Sequence, residues 1–335
     1  MQDFEILESE YANHLGYEKQ NCAVVNTGTA ALHVVLEAMN LQNDDVVIVP
    51  EFTMYASALS VFYARLQMKF VDCDDNLLIN LDTVEKLLDE DTHKKIKVLM
   101  ITHVYGRTVD MVSVDRIAKK FGIRVIEDAC EAQTAITNLG MQAGTYDIGC
   151  FSFYRNKIIC AEEGGLIFAK DEDLIAKIRD MRSMSFGNTH DYYHGQIGFN
   201  YRMTNSQARL AILSLQSVEA SLKRRQYITD TLNRLILPQF QMKNNRQAIW
   251  VYDMMHPSAD DVVKQLKGIG INARHSFKPM SIQPMFLKWQ NNVSDYKNAL
   301  DMSQKVFYVH CGEDFDVDNI DDIAKRINDI CMRSL

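Results

Sequence analysis

The sequence predicts an α/β protein built on a mostly parallel sheet, followed by a smaller α+β domain, and three observations carry the prediction. Short apolar runs alternate with amphipathic stretches from Ala23 to Phe168, the rhythm of strands joined by helices that cover both sheet faces. A long helical pattern then runs from Asn205 to about Leu235. It gives way at LILPQF, where Pro238 marks a boundary between a large domain, 1–236, and a small one, 237–335.

The elements follow in order. A helix opens the chain, and strands are expected at Ala23–Val25, Val46–Val49, Lys69–Val71, Val98–Ile101, Arg124–Ile126, Ile148–Phe153 and Gly165–Phe168. Apolar residues at helical spacing place helices over Leu81–Leu88 and Val112–Phe121. The remainder reads as the strand WVYDMMH, the helix ADDVVKQLKG, the loop INARHSFKPM and the closing helix NIDDIAKRINDI. Neither repeats nor low-complexity segments interrupt it.

Composition narrows the function. At 335 residues, 47% of them apolar, the chain is long enough for two domains with a substantial core. A net charge of −8 argues against nucleic acid as a partner. The seven cysteines, at 22, 73, 130, 150, 160, 311 and 331, are odd in number and scattered through apolar runs, unlike a disulfide framework or a zinc site. No apolar stretch approaches the roughly 20 residues that span a bilayer. Met1 to Glu5 is acidic where a signal peptide would be basic. These features predict a cytoplasmic protein with no membrane partner.

The chemistry concentrates in CFSFYRNKIICAEEGG, Cys150 to Gly165, which sets Lys157 between an apolar run and paired glycines. Upstream, IRVIEDACEAQ ends another apolar run on Glu127-Asp128. A lysine amine and a carboxylate are what pyridoxal 5′-phosphate (PLP) requires, one to form a Schiff base with its aldehyde and one to keep its ring nitrogen protonated. A free lysine titrates near 10.4 and needs desolvation or a neighbouring cation, such as Arg155, to become nucleophilic. A third piece is NCAVVNTGTAALHVVLEAM, where Asn26-Thr27-Gly28-Thr29 opens a helix and offers free N–H groups to a phosphate. Ser152 is placed to add a hydroxyl. Taken singly these are a solvated strand end, a helix cap and a Thr N-cap, so the reading rests on their occurring together.

With these pieces the chain resembles the DegT/DnrJ/EryC1/StrS family, nucleotide-sugar aminotransferases of PLP fold type I, from about Phe4 to about Phe286. The matching segments are NTGTAALH, VVIVPEFTMYASALSV, THVYGRTVDM, EDACEAQ, FSFYRNKIICAEEGG, GFNYRMTNSQARLAIL and GINARHSFKPMSIQPMF. The resemblance implies that Lys157 carries the coenzyme and moves the proton, and that Asp128 holds the ring nitrogen. It sets Glu131 against the ring hydroxyl, and gives the phosphate to Gly28, Thr29 and Ser152. Asn200 is implied to reach the phosphate of the partner subunit, which makes the site the shared property of a homodimer. His194 and Arg274 fall in segments that contact the sugar nucleotide in relatives. Arg155, Arg202, Arg274 and Lys278 are candidates for a cluster that holds its anionic part.

The chain departs from the family at Met54, where many relatives stack an aromatic ring on the coenzyme and a thioether must pack instead. It departs also at Arg155, and in beginning near the helix before the phosphate strand, without the arm that helps close the site and pack the dimer in relatives. GFNYRMTN and EDACEA most resemble perosamine synthases, implying transfer of an amino group from glutamate to the keto carbon of a GDP-linked 4-keto-6-deoxysugar. Relatives that use dTDP- or UDP-linked keto sugars are the alternative, as is a non-catalytic PLP-binding protein, suggested by the missing arm and Met54. A dehydratase of the same family carries histidine in place of lysine, and Lys157 argues against that branch.

Overall fold

The computed structural model describes residues 2–187, 192–243, 245–289 and 293–335. Seven strands, β1 (Cys22–Val25), β2 (Val46–Pro50), β3 (Gln67–Val71), β4 (Ile96–Thr102), β5 (Arg124–Asp128), β6 (Ile148–Ser152) and β7 (Gly165–Ala169), form one sheet in the order β1-β7-β6-β5-β4-β2-β3. β2 through β6 are mutually parallel, and β7 runs antiparallel to both neighbours.

Helices cover the sheet on both faces: α1 (Asp3–Leu15), α2 (Gly28–Ala38), α3 (Tyr55–Tyr63), α4 (Leu81–Glu90), α5 (Met111–Phe121), α6 (Glu172–Met181) and α7 (Asn205–Gln216). Alternate strand residues point to opposite faces, which decides what each helix packs on. Val98, Met100 and Ile126 lie under α2, α3 and α6. Their neighbours Leu99, Ile101 and Val125 lie under α4 and α5, while Val24, Phe151 and Phe168 pack against α1 and α7. Each residue type buried on both faces explains why the strands read as continuous apolar runs rather than as alternating ones.

The helical pattern from Asn205 is two helices, not one. Ser217 (φ −100°, ψ 8°) breaks it, and its hydroxyl donates to the Leu213 and Ser214 carbonyls left open at the end of α7. α8 (Val218–Leu235) follows, and its Ile228 and Leu232 join the core of the second unit. That unit is a three-stranded antiparallel sheet of β8 (Val251–Met255), β9 (Ala273–His275) and β10 (Val306–His310), ordered β8-β10-β9, with α9 (Ala259–Gly268), α10 (Lys297–Lys305) and α11 (Ile320–Arg333). β9 lies inside the stretch expected as a loop, and the central strand β10 is an addition to the expected elements. β9 is three residues long and gains its conformation from pairing with Phe307–Val309, a partner 34 residues away.

The two sheets are tied by a buried charge cluster and by shared apolar contacts. Asp253 on β8 is fully buried and accepts from Arg107 at 2.7 Å and from Arg246. Trp250, Val251 and Tyr308 belong to the same apolar cluster as Tyr105 and Phe151. The small sheet is thereby held over the carboxyl ends of β4, β5 and β6, where ligands bind in sheets of this kind. Among the described residues, no helix is long and apolar enough to cross a membrane, and no group of three or more His, Cys, Asp or Glu side chains is placed to hold a metal ion.

Candidate active site

Asp128 is the last residue of β5, Ser152 the last of β6, and Gly28 the first of α2, while Lys157 sits in the turn between β6 and β7. These ends converge on a cavity of ≈ 520 Å³ lined also by Thr29, Met54, Glu131 and Arg274. Residues up to 246 positions apart in the chain thus share one wall. Asn200 and His194 lie elsewhere. Asn200 is in a separate cleft with Gln2, Asn26 and Arg202. His194 hydrogen-bonds the Met184 carbonyl through Nδ1 at 2.7 Å and packs on Phe186.

Lys157 is buried, with its Nζ 3.7 Å above the Trp250 ring centroid and 3.8 Å from Glu131 Oε1. The Trp250 indole N–H donates to the Asn156 carbonyl at 3.0 Å, and Arg225 donates to the carbonyls of both Trp250 (2.7 Å) and Lys157 (3.4 Å). The lysine, its turn and its aromatic neighbour are therefore held by one guanidinium. Glu131 accepts the Tyr105 N–H at 3.1 Å, and burial pushes its carboxyl up to about 7 against the lowering effect of Lys157. Tyr105 reaches that position in a left-handed conformation (φ 52°), next to Gly106 (φ 82°), where an added Cβ would lie 1.9 Å from the Ala248 carbonyl oxygen. Only glycine fits there.

The Asp128 carboxylate takes the Ser57 hydroxyl at 2.8 Å on one oxygen and the Cys130 N–H at 3.2 Å on the other. Ser57 is itself fixed by Thr53 at 3.1 Å, and Thr53 by Thr102 at 2.8 Å. The adjacent Glu127 points the other way, as strand alternation requires, and accepts from the N–H groups of Gly144 and Tyr146 and from His103 Nε2. His103 Nδ1 accepts the Val109 N–H, so its proton is on Nε2 and the ring is neutral. Of the acidic pair, Asp128 faces the cavity and Glu127 braces the framework.

The residues present fit PLP. Thr27 caps α2 by accepting the Ala30 N–H, leaving the Gly28 and Thr29 N–H groups without a partner among the described residues, at the positive end of the helix. An added Cβ at Gly28 would stand 2.9 Å from Ser152 Cβ, so the glycine lets the backbone meet the serine closely at a place suited to a phosphate. Asp128 and Lys157 supply the carboxylate and the amine on the same wall.

Several residues escaped the sequence reading. Ser57 lies in VVIVPEFTMYASALSV, one of the matching segments, but its bond to Asp128 depends on a strand 71 residues away. Tyr105 lies in the matching segment THVYGRTVDM and Trp250 opens the expected strand WVYDMMH, but neither they nor Arg225 carried a sign of their place beside Lys157. The expected basic cluster is not assembled. Arg155 and Arg274 share a second cleft of ≈ 450 Å³ beside Lys157, Arg202 lines the cleft of Asn200, and Lys278 lies with Lys264 and Lys267 on the small domain.

Residues 2–328 match the model of the DegT/DnrJ/EryC1/StrS aminotransferase family. The chain is 35% identical over 293 residues to GDP-perosamine synthase of Caulobacter vibrioides, covering 83% of this chain and 77% of that one. It is 36% identical over 206 residues to UDP-N-acetyl-3-dehydro-alpha-D-glucosamine 3-aminotransferase of Acidithiobacillus ferrooxidans, covering 60% of this chain and 53% of that one. Among solved structures, a putative sugar aminotransferase from Streptococcus pneumoniae in its PLP form superposes with a TM-score of 0.89 at 17% identity, over 100% of this chain and 92% of that one.

Proposed function

The chain belongs to the DegT/DnrJ/EryC1/StrS aminotransferase family of PLP-dependent enzymes, and from that premise we propose that it transfers an amino group from glutamate to the keto carbon of a GDP-linked 4-keto-6-deoxysugar. The observation that carries the reading is the meeting of Lys157, Asp128, Glu131 and the Gly28–Ser152 cradle on one cavity, in a chain whose likeness to GDP-perosamine synthase spans 83% of its length.

Bound there, PLP supplies a carbonyl carbon that an amine can join and a ring that takes up the electron pair left when a proton leaves the adjacent carbon. The chain does the rest. Gly28, Thr29 and Ser152 would anchor the phosphate, and Asp128, oriented by Ser57 and Cys130, would keep the ring nitrogen protonated. With PLP bound, Lys157, the one lysine among the described residues that line the cavity, would hold the coenzyme, and its Nζ is the group placed to move the proton. Trp250 excludes water beneath that amine. Glu131 would take the ring hydroxyl, Met54 would pack at the cavity mouth, and Arg274 would draw in the anionic substrate.

The working unit in this reading is a homodimer in which Asn200 reaches the partner's phosphate. Its support is that Asn200 lies outside the cavity of its own chain, and that Phe62, Tyr63, Ile282, Met285 and Leu287 leave large apolar surfaces exposed. His194 would reach substrate in the same fashion. The reading places the reaction in the cytoplasm.

The likeness to the UDP-sugar 3-aminotransferase favours a second reading, in which a UDP- or dTDP-linked keto sugar is the acceptor. A panel of GDP-, UDP- and dTDP-linked 3- and 4-keto sugars, assayed with glutamate for 2-oxoglutarate and for amino sugar by mass spectrometry, separates them. The GDP-linked 4-keto sugar is expected to be aminated most efficiently. Turnover confined to UDP- or dTDP-linked sugars would replace the first reading with the second.

A further inference from the structure

We propose that Glu51 is a positioning residue, a latch that fastens the 276–289 segment against the active-site cavity and loosens as its carboxyl ionises. Glu51 follows the last residue of β2 and is fully buried. Its Oε1 accepts both the N–H of Ser281, at 2.9 Å, and the Ser281 hydroxyl, while Oε2 is buried without a partner among the described residues. The Glu51 carbonyl accepts the Met280 N–H at 3.1 Å. One residue of the large sheet thus holds two successive residues of a segment that arrives from β9.

That segment shapes the site. Phe277 lines the cavity, and its ring packs 5.6 Å from that of Phe52, the residue after Glu51. Arg274, also on the cavity wall, lies three residues before Phe277. Met54 and Ser57, on the other side of Glu51, reach the same cavity and Asp128. Movement of the latch would therefore displace Phe277 and, through the chain, Arg274, both on the cavity wall.

Among the described residues, no cation is placed to balance the carboxyl. The titratable groups that face it are Asp72 and Cys73, just beyond β3, and neither brings positive charge. Burial pushes the Glu51 carboxyl up to about 7, opposed by the two Ser281 hydrogen bonds and assisted by Asp72. The docked form thus holds its proton more tightly than a free carboxyl, whose ordinary value is 4.5. The latch is at full strength below that value and weakens as pH rises through about 7. From pH 6 to pH 8 docking weakens about tenfold.

The contacts of the latch rest on geometry, its pH dependence on the burial of an unbalanced carboxyl, and its effect on substrate on the aminotransferase reading. Hydrogen–deuterium exchange of peptides covering 276–289 in the holoenzyme, corrected for the intrinsic pH dependence of exchange, reads the latch without substrate. Protection should fall about tenfold between pH 6 and pH 8 while that of β4 stays constant. Glu51→Gln should hold the protection at its acid level throughout, and Ser281→Ala should lower it at every pH. In turnover, KM for the keto sugar should rise over the same range with kcat little changed, and Glu51→Gln should flatten that rise. Constant wild-type protection from pH 6 to pH 8, or an undiminished fall in Glu51→Gln, would overturn the proposal whatever the substrate proves to be.

Discussion

Gly28→Ala tests the phosphate cradle at its tightest point. The new Cβ would lie 2.9 Å from Ser152 Cβ and 3.3 Å from Cys130 Sγ, where carbon atoms in contact ordinarily stand about 3.5–4.0 Å apart. Ser152 is paired with Gly165 across β6 and β7, and the Cys130 N–H is bound to Asp128, so neither yields easily. The strain, about 1–3 kcal/mol for an overpacked contact, therefore falls on the first turn of α2. That turn carries the two N–H groups offered to the phosphate. Losing one hydrogen bond to a charged group costs about 1.5–3 kcal/mol, so PLP should bind about 10–150-fold more weakly. Titration of the apoprotein with PLP, followed by absorbance, measures this directly, and thermal unfolding without PLP reports the strain itself. In the Ser152→Gly background the closest contact is relieved and only the 3.3 Å approach to Cys130 Sγ remains, so the same alanine should cost less than it does alone. PLP affinity within twofold of wild type in Gly28→Ala would refute the cradle.

Three further outcomes follow from the same geometry. Asp128→Asn should keep the fold and much of the PLP but lose about 10²–10³ in single-turnover rate, because an amide cannot hold the ring nitrogen protonated; wild-type kinetics would assign that task to another acid. Asp253→Ala, which leaves Arg107 and Arg246 buried without their counter-charge, should cost about 3–5 kcal/mol in denaturant unfolding, and a loss under 1 kcal/mol would show that the cluster contributes little. Mixing Asn200→Ala and Lys157→Ala chains after dissociation and reassociation should restore about a quarter of wild-type activity, since half the dimers are mixed and each has one complete site; a fully active monomer in sedimentation would exclude the shared site.

Lys157, Asp128, Gly28 and Ser152 were legible because each lies at the end of an apolar run, where the chain leaves the sheet and its side chains face one edge. The parallel sheet was legible for a related reason, that strands buried on both faces must be apolar throughout. What escaped notice depends on distant partners. Ser57 looks like any serine in a helix until β5 brings Asp128 to it, and Trp250 acquires a role only because Arg225 and Asn156 turn it toward Lys157. The break at Ser217 is invisible in a helical pattern because serine back-bonding satisfies the carbonyls it exposes. The basic cluster failed as an inference for the opposite reason. Arg155, Arg202, Arg274 and Lys278 share a charge but not an element, and the topology leaves only Arg155 and Arg274 in one cleft, with Arg202 and Lys278 in others.

The central claim is that Lys157 is the residue that carries PLP, and the direct measurement is reduction of the holoenzyme with borohydride followed by proteolysis and mass spectrometry. The account predicts the pyridoxyl mass on Lys157 alone, its loss when excess glutamate precedes the reduction, and no covalent label in Lys157→Ala even though that variant still binds PLP. A label on another lysine, or full covalent attachment in Lys157→Ala, would contradict it.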